Sequence, residues 1–105
     1  MNKTRLSRVI ANMEAQSLEQ IVVTSTSSVY YLTGIHVEPM ERMLALYIHT
    51  SGRCVLYANE LFAIPPQEDL ELLLHTDSDD PAALLAAGVA PGRLGIDKSW
   101  PSKFL

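Results

Sequence analysis

The chain has 105 residues, 48% of them apolar and 19% charged, which is a globular composition with enough length for one domain. A domain of this size can bury one ordinary core without staples, and its one cysteine, Cys54, leaves no internal disulfide to form. The formal net charge of −4 argues against a nucleic-acid surface, which needs clustered Lys and Arg to neutralise phosphates.

Charge is unevenly spread. Lys3, Arg5 and Arg8 make the start basic. Between residues 60 and 80 the acids Glu60, Glu68, Asp69, Glu71, Asp77, Asp79 and Asp80 stand without a basic residue, which reads as a solvated acidic face. Charged residues interrupt the opening segment, so no signal peptide or anchor is expected there. No run is apolar for long enough to span a bilayer, and a reducing cytoplasm is the simplest compartment.

Leu6, Val9, Ile10 and Met13 recur at helical spacing and predict a first helix over residues 3–16. The β-branched run Gln20 to Thr24 predicts a buried strand. Ser25, Thr26, Ser27 and Ser28 are candidate caps for a short helix through Val29 to Leu32, which Gly34 would end in the left-handed position. Ile35 to Arg42 reads as loop. Met43 to His49 and Arg53 to Tyr57 predict a β-hairpin around Thr50-Ser51-Gly52.

A helical turn over Asn59 to Phe62 precedes the break at Pro65-Pro66. Glu71 to His75 predicts another strand. Asp79-Asp80-Pro81 is a helix start, with a capping carboxylate and proline just inside. That helix ends at Gly88. Leu94 to Asp97 predicts a last strand, and Ser99 to Leu105 the opening of a further helix. Alternating elements with a hairpin among them predict a mixed sheet of about five strands flanked by helices, an α/β fold.

Few residues offer chemistry. His36, His49 and His75 match no metal-ligand spacing; the latter two read as hydrogen-bonded at strand ends. His36, Glu38 and Glu41 share one loop and could hold a cation, but a solvated polar loop explains them as well. Cys54 reads as a small core residue without the basic neighbours that would lower its pKa. The serines lack the glycine-flanked elbow of a hydrolase nucleophile. Gly88, Gly92 and Gly95 follow a helix and enter a strand, the reverse of a dinucleotide-binding turn. Arg42 stands where an exposed loop enters a buried strand. Its planar guanidinium suits bidentate binding of a carboxylate, and the plainer reading is a salt bridge to Glu38 or Glu41.

The order of Arg5-Leu6 and Met13, Ile21 to Ser25, Tyr30-Tyr31-Leu32-Thr33-Gly34 and then Glu38-Pro39-Met40-Glu41-Arg42 before an apolar strand resembles the N-terminal domain of Xaa-Pro peptidases. That group includes prolidase, aminopeptidase P and creatinase, and the resemblance is strongest to bacterial proline dipeptidases. It covers essentially the whole chain. It implies a ribonuclease H-like topology and a non-catalytic domain that supports a homodimer. The metal ions, two of manganese, cobalt or zinc, would sit in a C-terminal pita-bread domain outside this chain, and metal-assisted hydrolysis would belong there. The loop over 35–42 would reach the partner subunit's active site. Arg42 would meet a substrate carboxylate, while His36 and Glu38 would shape specificity. The resemblance also implies that the last helix is cut short, leaving an under-paired sheet edge that favours association. The competing readings are a catalytically inactive binding or dimerisation module and a stand-alone small-molecule sensor.

Overall fold

The computed structural model describes residues 1–38 and 42–96. The elements run α1 (Lys3–Ala15), β1 (Gln20–Val23), α2 (Thr26–Thr33), β2 (Ala45–His49), β3 (Cys54–Asn59), a 3-10 turn (Glu60–Phe62), β4 (Glu71–His75), α3 (Pro81–Gly88) and β5 (Leu94–Ile96). The helix expected over Ser99 to Leu105 and the end of the last strand at Asp97 lie outside the described residues.

The five strands form one sheet in the order β4-β3-β2-β1-β5. β1, β2 and β3 make an antiparallel meander; β5 lies parallel to β1 and β4 parallel to β3. Only β2 therefore runs against the rest. The meander with a parallel strand beside β1 is the mixed arrangement the sequence predicts. α3 carries the chain from the β4 edge to the β5 edge.

Strand alternation divides the interior into two cores. Val23, Leu46, Ile48, Cys54, Leu56 and Ala58 face α1 and α2, where Met13, Val29 and Leu32 complete the packing. Leu6, Val9 and Ile10, the stripe that predicts α1, pack against this core. Val22, Ala45, Tyr47, Val55 and Tyr57 face the other way, toward Leu85 of α3. Gly88 allows that approach: a Cβ there would stand 2.0 Å from the Tyr57 hydroxyl.

Caps form where the sequence places them. Ser25 Oγ accepts from the Ser28 amide at 3.3 Å, and Gly34 ends α2 with φ +76. That left-handed conformation suits a residue without Cβ. Asp80 caps α3, with Pro81 at its first turn. The hairpin differs at both limits. Met43 and Leu44 are buried but precede the ladder, and β3 runs on past Tyr57 to Asn59. The reason is pairing: Ala58 and Asn59 find their partners on β4, opposite Leu74 and His75, after the β2 ladder has ended at Ala45–Tyr57.

One buried polar group ties the far edge down. Gln20, 1% exposed, donates from Nε2 to the Ala90 carbonyl at 2.7 Å. Its Oε1 accepts from the Tyr47 hydroxyl at 2.7 Å and the Ala90 amide at 3.0 Å. Satisfying each of these groups removes the desolvation penalty an orphan would carry.

Candidate functional site

Arg42, His36 and Glu38 are the residues that the sequence offers for ligand contact. They fall into two separate hollows. His36 and Glu38 line an open cleft of about 560 Å³ with Thr26, Ser27 and Tyr30. His36 Nε2 is 3.5 Å from Glu38 Oε1, and both side chains are largely exposed. The Tyr30 ring meets the imidazole edge-on at 5.6 Å between centroids. α2 supplies one wall of this cleft and the loop after Gly34 the other.

Arg42 lines a smaller hollow of about 160 Å³ with Met43, Asn59, His75, Thr76, Asp77, Asp79 and Pro81. Its ion-pair partner corrects the sequence expectation. The partner is Asp77, not Glu38: Arg42 Nε donates to Asp77 Oδ1 and Nη2 to Oδ2, each at 3.0 Å. Glu38 pairs with His36, and Glu41 lies outside the described residues. This two-point geometry suits a planar guanidinium and not an ammonium.

Asp77 is fixed from below. Asn59, 1% exposed, donates from Nδ2 to Asp77 Oδ1 at 2.7 Å, and its Oδ1 accepts from the Leu61 amide at 3.0 Å. The hydrogen bonds from Arg42 and then Asn59 hold the Asp77 carboxyl below its ordinary range. The same bond to Asp77 holds the Arg42 guanidinium above its ordinary value. Asp77 and Asn59 are the partners that sequence reasoning missed. Asp77 reads as one more acid in an exposed run, and only the parallel β3–β4 register, which pairs Asn59 with His75, brings it beside Asn59.

The other acids of that run are exposed, as expected, and several have partners: Asp69 pairs with Lys3 at 3.3 Å and Glu71 with Arg53 at 3.8 Å. Asp79 accepts from the Thr76 amide at 2.8 Å.

His49 is hydrogen-bonded through Nδ1 to Ser51, as its strand-end position predicts. His75 departs from the expectation. Its Nδ1 is buried with no hydrogen-bond partner among the described residues, and burial lowers its pKa against the opposing influence of Asp79 and Asp77. Cys54 sits in the core, where burial pushes its thiol up to about 11, so it is not a ready nucleophile. Among the described residues no group of three or more His, Cys, Asp and Glu could hold a metal ion, and no helix is long and apolar enough to cross a membrane.

The model of the creatinase/prolidase N-terminal domain matches residues 5–105. The chain belongs to that family. Creatinase/prolidase N-terminal domains solved as structures share its fold. The N-terminal domain of an X-Pro dipeptidase from Streptococcus pyogenes superposes with a TM-score of 0.79 at 17% identity, over 95% of this chain and 86% of that one. A prolidase from Thermococcus sibiricus superposes with a TM-score of 0.81 at 24% identity, over 98% of this chain and 30% of the prolidase. In sequence, an uncharacterized peptidase of Staphylococcus aureus is 34% identical over 58 residues. That match spans 55% of this chain and 16% of the peptidase's length.

Proposed function

We propose that this chain is the non-catalytic N-terminal domain of a metal-dependent Xaa-Pro dipeptidase that works as a cytoplasmic homodimer. The two divalent metal ions and the hydrolysis they assist belong to a separate C-terminal pita-bread domain. What this chain contributes is binding. Residues 35–42 reach the partner subunit's active site, where Arg42 takes the substrate's carboxylate and His36 and Glu38 border the approach.

The observation that carries this reading is the state of Arg42. It is a partly exposed guanidinium at the end of that loop, ordered by a two-point ion pair rather than left to solvent. A free dipeptide presents one carboxylate on its C-terminal residue, and a fixed arginine is a suitable receptor for it. Family membership supports the same reading.

Two tests follow. The gene's downstream sequence must encode a second domain bearing two Asp, one His and two Glu as metal ligands. A reading frame without them favours the alternative, an inactive binding or dimerisation module. In the full-length protein, Arg42→Ala must lower kcat/KM for an Xaa-Pro dipeptide; an unchanged value removes the carboxylate role.

A further inference from the structure

A guanidinium has two edges that can bind a carboxylate at two points. One is formed by Nε–H and Nη2–H, the other by Nη1–H and Nη2–H. In Arg42 the first edge is taken by Asp77. No group among the described residues takes the second. We propose that Asp77, anchored by Asn59, is the positioning residue that presents the Nη1/Nη2 edge of Arg42 to a ligand's carboxylate. The inference deepens the reading of Arg42 as a carboxylate receptor and rests on it.

The chain of support runs from the core outward. Asn59 is buried at the end of β3, and the Leu61 amide fixes its side-chain orientation. Asn59 then donates to Asp77, two residues past the end of β4. Asp77 holds Arg42 at two points. An exposed Arg–Asp pair contributes little to stability, because solvent screens it and two side chains must be ordered. Its effect on binding is larger. An arginine already held in one rotamer does not lose that freedom when the ligand arrives.

A competing role for Asp77 is to occupy Arg42 and exclude the ligand. Two features oppose it. Asp77 uses the side edge of the guanidinium and leaves the two-donor end unused, and the Asn59 bond holds Asp77 in place instead of leaving it to exchange with a ligand.

The test uses the full-length protein and three variants, Arg42→Ala, Asp77→Ala and Asn59→Ala, with an Xaa-Pro dipeptide as substrate and its C-terminal amide as competitive inhibitor. Asp77→Ala is expected to raise KM for the dipeptide about fivefold to tenfold, with kcat within about twofold. The inhibition constant of the amide, which lacks the carboxylate, is expected to stay within about twofold. Asn59→Ala shifts KM in the same direction by less. Joining Asp77→Ala to Arg42→Ala adds nothing to Arg42→Ala alone, because both remove one contact. Asp77 is exposed, so its variant keeps the inference testable should Asn59→Ala fail to fold. An Asp77→Ala protein that binds the dipeptide as well as or better than the parent overturns the positioning role, as does equal weakening toward dipeptide and amide. If Arg42→Ala itself has no effect, the carboxylate reading fails first.

Discussion

His36 and Glu38 line one hollow and Arg42 another, and the two are built on different foundations. The Arg42 corner rests on the sheet: a buried asparagine at a strand end holds an aspartate, which holds the arginine. The His36–Glu38 cleft rests on itself. Its His36–Glu38 contact spans 3.5 Å between two exposed side chains, and its ring neighbour is an edge-on tyrosine that is itself 54% exposed. The difference separates two kinds of contribution. A corner anchored in the core can hold one ligand group at a fixed point. A cleft of solvated side chains can adjust to many ligands and will discriminate weakly among them.

The sharpest way to break this contrast is to remove the anchored arginine. In the full-length protein Arg42→Ala should lower kcat/KM for an Xaa-Pro dipeptide by about 30-fold or more, in line with a lost charge-assisted hydrogen-bond pair. A loss below threefold would place the two hollows on the same footing.

Next comes the anchor. Asn59→Ala deprives the Leu61 amide of its acceptor and Asp77 of a donor. It should destabilise the domain by about 1–2 kcal/mol in urea denaturation. An unchanged midpoint would mean that the corner does not depend on the sheet.

A pH series probes the same corner. Burial holds His75 below its ordinary pKa, so the unfolded chain takes up a proton near pH 6.5, roughly, while the folded chain does so only at lower pH. Stability is then full above about pH 6.5 and declines as the pH falls from there toward the folded value. The urea midpoint of the chain should drop between pH 7.5 and pH 5.5, and His75→Leu should flatten that drop. An identical slope in the variant would show that another group is responsible.

The smallest effect belongs to the cleft. Glu38→Ala should change stability by no more than about 0.5 kcal/mol, as expected for an exposed pair. It should change kcat/KM by less than about threefold.

Much of this was legible in the sequence. The helical stripe of Leu6, Val9, Ile10 and Met13, the capping residues Ser25 and Asp80 and the glycine at 34 act through neighbours close in the chain, and those elements form as predicted. Limits set by pairing were less legible. β3 extends to Asn59 because β4 offers it a parallel ladder, and nothing within residues 53–57 signals that. The Arg42 partner was hidden for the same reason. Glu38 and Glu41 are near in sequence, whereas Asp77 is 35 residues away and becomes a neighbour only through the parallel register. His75 was misread because a strand-end position suggests solvent or a backbone partner, and here the strand end is covered.

The most direct test of the two-edged guanidinium is Arg42→Lys in the full-length protein. A lysine keeps the charge but has no planar fork, so it cannot hold Asp77 at two points and also offer two donors to a ligand. A two-edged role for Arg42 requires that Arg42→Lys raise KM for an Xaa-Pro dipeptide nearly as much as Arg42→Ala does. A lysine variant with the parent's KM would contradict it, because charge alone would then suffice at this position.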